Sequence, residues 1–370
     1  MSIIIFLIVL AILVLVHELG HFLVAKKSGI RVDEFGLGFP PSLFGKKIGE
    51  TLYTFNLIPF GGFVKIHGEN PDEESVNGVD KDRSFINKPN YIKIAVLGAG
   101  IFFNIIFAWL LISASFMLGA VVPVDDYAKY ENRIQNGGII ITNVYPQSPA
   151  ESSGIKPGDE IVAISSKAKK ITTDNISISE IQKLVSESGG ESLSVDIKKS
   201  KGDISSVSIQ ASDTLEKGKF VLGIAMANTG TLNLPIHLAL WEGFKTTIRL
   251  VEMITVYLVQ FLGSIFVGTA DFSTVTGPVG IVGLVGDASA SGFTNLMMFT
   301  ALISINLAII NLVPFPALDG GRILFVLIEA ISRRSIPHKV ANTVNAIGFM
   351  LLILLMVVVT YKDIIKIISN

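Results

Sequence analysis

The chain has 370 residues, half of them apolar and only 16% charged, against about 25% charged in an ordinary soluble domain. That balance excludes a disordered chain, a nucleic-acid binder and a typical cytosolic enzyme, and a net charge of −1 offers no global field to steer polyanions. With no cysteine, the chain has no disulfide framework, thiolate zinc finger or cysteine nucleophile.

The apolar excess sits in long runs, the pattern of a polytopic membrane protein with a soluble insert. Residues 1–25 form the first transmembrane helix. No positive segment precedes the run and a His-Glu-His cluster lies inside it, so it reads as a retained span, not a cleaved signal. Residues 26–91 follow as a loop crowded with Lys26, Lys27, Arg31, Lys46, Lys47, Lys65, Lys81, Arg83 and Lys88. The positive-inside rule places it in the cytoplasm. Residues 92–122 form the second span. Residues 137–228 differ in character: strands at 138–144, 160–164, 192–198, 204–210 and 220–225, helical spacing at 176–187, and turn chemistry at Lys156-Pro157-Gly158-Asp159. Residues 236–292 are interrupted by Arg249, Glu252 and Gln260. They are expected to hold an interfacial amphipathic helix and a linker, because a crossing there would put the ends of the first and third spans on opposite faces. Residues 293–321 form the third span and 340–361 the fourth. Arg322, Arg333, Arg334 and Lys339 between them are again cytoplasmic by charge, with Lys362 and Lys366 a weaker opposing signal.

His17-Glu18-Leu19-Gly20-His21 is an HExxH motif. On a helix, positions i and i+4 share a face, so two imidazoles can bind one zinc while the adjacent glutamate reaches a water beside it. Inside an apolar span each ionisable group costs about 2.5–3.5 kcal/mol, so three within five residues call for a compensating partner. A zinc site with two histidines wants a third protein ligand and one open position. Asp319 is the candidate. Pro314 and Pro316 break the third span just before it, and Gly320-Gly321 allow a tight turn after it. The plainer alternative is an aspartate capping the next helix. His67, His237 and His338 are isolated and read as ordinary loop or interface residues.

Two resemblances follow. The stretch SPAESSGIKPGDEI, with the strand order around it, resembles a PDZ domain. HELGH in the first span and NLVPFPALDGG late in the chain resemble the site-2 protease family, intramembrane zinc metalloproteases of the regulator-of-sigma-E protease type. EFGLGFPPSLFGKKIGE followed by LIPFGGFVKIHGE resembles that family's membrane-reentrant β-loop, GAGIFFNIIFA its second-span Gly-Pro-x-x-Asn segment, and TGPVGI its Gly-Pro-x-Gly-Ile segment. Ile101 stands where many members have proline, Phe39-Pro40 replaces the commoner Phe-Gly, and there is room for one PDZ unit only.

The resemblance implies a polytopic α-helical membrane protein of about four transmembrane helices, with a reentrant β-hairpin and an inserted α/β PDZ domain. It implies zinc held by His17, His21 and Asp319, with Glu18 as catalytic acid/base. It also implies that Asn306 and Asn311 line the substrate site, although Asn306 equally suits interhelical hydrogen bonding. The strand at Phe60-Gly61-Gly62-Phe63-Val64 can take an unwound substrate by strand addition, Gly61 and Gly62 being otherwise a simple turn. The expected activity is regulated intramembrane proteolysis of single-span proteins, such as anti-sigma factors or signal-peptide remnants. The expected setting is the bacterial cytoplasmic membrane, with the PDZ domain on its outer face. Expected partners are transmembrane substrates and lipid, without nucleic acid; the oligomeric state is left open. Two rivals stand: an inactive membrane PDZ scaffold, and a metal or proton transporter.

Overall fold

A computed structural model describes residues 1–70, 73–166, 170–172, 177–199, 202–213, 219–272, 275–334 and 336–369. The side chains at 59, 60, 338 and 366–369, and with them those of Phe60 and His338, lie outside the described residues. The chain divides into two compact units, one of residues 1–113, 240–286 and 297–370, the other of residues 114–239 and 287–296.

In the first unit, helix α1 (Ser2–Lys27) leads into two long strands, β1 (Val32–Ile48) and β2 (Thr51–Ile66). These are more than a hairpin. Phe35 pairs with Val64 and also with Tyr53, and Gly36 with both Phe63 and Thr54, while Phe44 to Ile48 pair with Phe55 to Thr51. Each long strand bends back on itself, and residues 61–66 form an outer row of the resulting sheet. Phe39, Leu43, Phe44, Phe55, Leu57 and Ile58 stand exposed near the bend, which suits a hairpin tip immersed in lipid. A short helix α2 (Glu73–Asn77) precedes α3 (Asn90–Leu118). Gly119, at φ +93°, ends α3, and the β-branched residues after it form a strand of the other unit. The expected second span through residue 122 is therefore four residues too long.

The second unit holds β3 (Ala120–Pro123), β4 (Ile134–Val144), α4 (Pro149–Ser152), β5 (Glu160–Ser165), β6 (Lys170–Thr172), α5 (Ile178–Glu187), β7 (Ser192–Lys198), β8 (Ile204–Gln210) and β9 (Ile224–Leu232). Its antiparallel sheet runs β3-β9-β4-β5-β7-β8, with β6 beside β5. Ser148 and Ser177 cap α4 and α5, each accepting from the backbone N–H three residues on. Inward-facing Ile139, Ile141, Ile161, Ile164, Ile181, Leu193, Ile197 and Ile209 build one core. The expected strand at 220–225 begins instead at Ile224 and runs to Leu232, and β3 joins the sheet ahead of the expected start at 137.

The chain then returns through α6 (Ile236–Val267), α7 (Pro278–Ala290), α8 (Phe293–Leu312), α9 (Asp319–Ser332) and α10 (His338–Ser369). Among the described residues five helices, α1, α3, α6, α8 and α10, are long and apolar enough to cross a membrane by length and composition. With the sheet-containing insert they make a polytopic membrane protein. The expected third span through residue 321 divides in two: α8 stops at Leu312, before Pro314 and Pro316, and Asp319 opens α9. A Cβ on Gly320 would overlap the carbonyl oxygens of Leu312 and Val313, so only glycine lets α9 fold back this closely. The region expected to be one helix and a linker, 236–292, contains a second helix, α7. Its first turn is tied to α10, where Asp363 accepts from the backbone N–H groups of Gly277 (3.3 Å) and Gly280 (2.8 Å). Its other end, at Gly286, lies against Ser2.

Candidate metal and peptidase site

His17 and His21 lie one turn apart on α1, both buried. Their placement depends on how closely α3 approaches. A Cβ on Gly20 would come within 2.5 Å of the Ala99 carbonyl oxygen, and one on Gly100 within 2.5 Å of His21 Nε2. The two glycines let α1 and α3 touch backbone to backbone, and the imidazoles fill the space over Gly100. Ser304 Oγ on α8 donates to the Asn104 carbonyl (2.8 Å), fixing a third helix to the pair.

Asp319 reaches both rings from the first turn of α9. His17 Nε2 and His21 Nε2 are 3.2 Å apart, and Asp319 Oδ2 lies 3.0 Å from the first and 3.4 Å from the second. Four-coordinate zinc with bonds of about 2.0–2.2 Å sets neighbouring ligand atoms about 3.3 Å apart. Two facing ring nitrogens and a carboxylate oxygen at these separations fit that donor set. Among the described residues this is the group of three such side chains able to hold one ion. His21 Nδ1 donates to the Val96 carbonyl (2.8 Å), which leaves the lone pair on its Nε2.

Glu18 lines the same cavity, of about 330 Å³, and takes a backbone hydrogen bond from Val64 of β2. Gly62 lies close to the Glu18 side chain, and Gly61, at φ +87°, packs over Val14. Residues 61–64 therefore run beside the HExxH turn while pairing on their other side with β1. Asn306 and Asn311 do not line this cavity. Asn306 Nδ2 donates to Leu302 O of its own helix (2.9 Å), and five residues of helix turn Asn311 about 140° away from it.

Three contributors were given no site role by sequence. Arg322 and Glu69 form an ion pair in the cavity wall although they are 253 residues apart. Asn104, fully buried on α3, sits 3.2 Å from His17 Nδ1. In sequence it is the asparagine of the GAGIFFNIIFA stretch likened to Gly-Pro-x-x-Asn, with no role attached to it.

Comparison with known proteins adds to this geometry. The model of peptidase family M50 matches residues 5–355. A Clostridium perfringens protein provisionally named a zinc metalloprotease is 39% identical over 95% of both chains. Proteins under the same provisional name from Clostridium acetobutylicum and Staphylococcus aureus are 33% identical over 98% of this chain and 97% of theirs, and 30% identical over 98% of both.

Proposed function

This chain belongs to peptidase family M50, the site-2 protease family, and from that premise we propose that it is a zinc-dependent membrane endopeptidase that cuts within transmembrane segments of single-span proteins. The observation that carries the proposal is the triangle of His17, His21 and Asp319 with Glu18 beside it in one cavity. His17, His21 and Asp319 hold the zinc. Bound zinc supplies Lewis acidity toward water and toward a peptide carbonyl.

The remaining steps belong to the chain. Glu18 takes a proton from the attacking water and passes it to the departing amine nitrogen. The C–N bond breaks and one water is consumed. A helical substrate hides its carbonyls in i to i−4 bonds, so it unwinds before it is cut, and its freed backbone groups need partners in a dry site. Residues 61–66 suit that role. One side of the row pairs with β1, and the row passes Glu18 at Gly62. A substrate strand added along it presents a carbonyl to Glu18. Asn306 and Asn311 are kept as contacts for substrate outside this cavity.

The same reading places the protein in a bacterial cytoplasmic membrane, with the basic loops at 26–89 and 333–339 in the cytoplasm. The insert is read as a PDZ domain on the outer face. In its support, β3 pairs with β9 only from Thr229 to Leu232, so the Ile224–Asn228 end of β9 keeps an edge not covered by β3. A cavity of about 760 Å³ lies there, lined by Ile181 and Val185 of α5 and by Phe220, Leu222 and Ile224. Regulated intramembrane proteolysis, with anti-sigma factors or signal-peptide remnants as substrates, is the physiological role proposed.

The deciding experiment incubates purified wild-type and Glu18→Gln protein with a panel of single-span membrane proteins in detergent or vesicles. Cleavage within a span by wild type, lost in Glu18→Gln with zinc retained, supports the proposal. Equal cleavage by both, or by neither across the panel, refutes it.

A further inference from the structure

His17 and His21 are not held alike. The Nδ1 of His21 has a backbone carbonyl as its partner, which can only accept, so its proton is fixed on Nδ1. The Nδ1 of His17 has a side-chain amide instead, that of Asn104 at 3.2 Å. An amide can present either its NH₂ or its oxygen, and the two choices give His17 opposite tautomers. With Nδ2 toward the ring, His17 Nδ1 accepts and the ring proton sits on Nε2, in the middle of the triangle. In that orientation Asn104 Oδ1 is buried with no hydrogen-bond partner among the described residues, an uncommon and costly state for an amide oxygen. A half-turn of the amide brings Oδ1 to Nδ1. His17 then donates from Nδ1, and its Nε2 lone pair points at the place His21 Nε2 and Asp319 Oδ2 share.

We propose that Asn104 is the positioning residue that makes His17 a ligand, its Oδ1 accepting from His17 Nδ1–H so that the Nε2 lone pair is free for the metal. It does for His17 what the Val96 carbonyl does for His21. Asn104 is well placed for this, being fully buried on α3 one turn from Gly100 and with its backbone carbonyl tied by Ser304. Partners of this kind on ligand histidines typically govern metal affinity by 10–100-fold. The proposal rests on His17 being a metal ligand, and the test separates the two.

Zinc affinity is measured by competition with a chromophoric chelator on detergent-purified wild type, Asn104→Leu, Asn104→Asp and His17→Ala. Asn104→Leu, of similar size but without an acceptor, is expected to bind zinc 10–100-fold more weakly. Asn104→Asp, which keeps an acceptor at the same atom, is expected to bind more tightly than Asn104→Leu. A residue needed only for helix packing predicts the reverse order, since a buried carboxylate is tolerated worse than leucine. Wild-type affinity in Asn104→Leu, or Asp below Leu, overturns the proposal. Zinc retained by His17→Ala overturns both the proposal and the ligand set. Should a variant aggregate, imidazole ¹⁵N spectra of zinc-bound wild type decide, since the chain has only five histidines. The signal lost in His17→Ala should show a protonated Nδ1 and a coordinated Nε2. Coordination through Nδ1 refutes the assignment.

Discussion

Gly100→Ala separates the stability of this protein from its chemistry. In a helix, alanine is favoured over glycine by about 1 kcal/mol, so the substitution alone does not threaten α3. The new methyl carbon, however, would sit 2.5 Å from His21 Nε2 and 2.7 Å from His17 Cε1. The nearer contact is about 0.9 Å short of ordinary van der Waals distance. The His21 ring cannot swing away freely, because its Nδ1 is tied to the Val96 carbonyl at 2.8 Å. Either that bond breaks or α1 and α3 move apart, and both displace an imidazole nitrogen of the proposed site by close to 1 Å. Active constellations tolerate about 0.5 Å, and a 1 Å misplacement costs about 100-fold in rate. Zinc content after dialysis against a weak chelator and turnover of a single-span substrate are the measurements, with a thermal melt as the control for folding. A melting temperature lowered only slightly, overpacking of about 1–3 kcal/mol being partly offset by helix propensity, with zinc affinity reduced and turnover down about 100-fold, is expected. Wild-type affinity and turnover in Gly100→Ala would show that the close approach of α3 does not set the ligand geometry.

Alanine at His17, His21 or Asp319 should lower zinc content below one per chain and abolish cleavage; full zinc content in Asp319→Ala would remove that residue from the site. Cysteine at exposed Glu187 should react with an impermeant reagent added to intact cells, whereas cysteine at exposed Lys81 or Arg334 should react only after permeabilisation. Glu50, in the turn between β1 and β2, has its carboxyl held below the usual range by hydrogen bonds from Lys26 and Arg83. A depressed folded-state value stabilises above the unfolded carboxyl range and loses that stabilisation as pH falls through it. The Tm gap between wild type and Glu50→Gln should therefore be present at pH 7 and close below about pH 4; at under about 1 kcal/mol for so exposed a pair, a gap that widens in acid would refute the assignment. Replacing residues 137–228 by a Gly/Ser linker should spare cleavage of substrates with short outer tails and admit some with folded outer domains; loss of short-tailed cleavage with zinc still bound would make the insert a recruiter, not a filter.

The parts of the site legible in sequence were those with a local signature. HELGH carries its geometry in its own spacing, because four residues of helix return to the same face. Asp319 was suggested by its setting of prolines and glycines, yet its place was read one element early, at the end of a span and not in the first turn of α9. The prolines stop α8 sooner than a hydropathy run shows. What stayed hidden is non-local. Nothing in residues 32–66 tells that Phe35 pairs with two rows at once, because alternation fixes a face and not a partner. The Arg322–Glu69 pair joins residues that only the fold brings together. Gly100 opens the segment likened to Gly-Pro-x-x-Asn, yet why it must be glycine shows only when α1 is laid against it. Helix α7 was missed because its 13 residues lack the length of a span and its glycines weaken the helical signal.

The same packing bears on how α6 lies, the point on which the labelling prediction turns. A helix rises 1.5 Å per residue, so Ser2 lies about 22 Å along α1 from His17, toward the N-terminal end. Gly348 packs on Pro316, in the segment leading to Asp319, and Asp363 is about 22 Å further along α10. Helix α7 touches both Ser2 and Asp363, through Gly286 and Gly280, so these two ends share one side, away from His17, His21 and Asp319. At about 20 Å, α7 is too short to cross a hydrocarbon core of about 30 Å and lies along that side. The start of α6 is held where Trp109 Nε1 donates to Leu240 O (2.9 Å) and where Gly243 meets Ser113, beyond Gly100 in the same direction along α3. Its far end is held where Phe261 packs on Phe272, whose carbonyl takes a hydrogen bond from Lys362 next to Asp363. Both ends of α6 thus sit toward the same side. We infer that a helix so tethered runs along the membrane face although it is long and apolar enough to span; α8 ends at Leu312 against Gly320, beside Asp319, whereas α1 continues about 15 Å past His17 to Lys27. Were α6 instead to cross, Arg334 and Lys81 would lie on opposite faces, and a cysteine at one of them would label in intact cells.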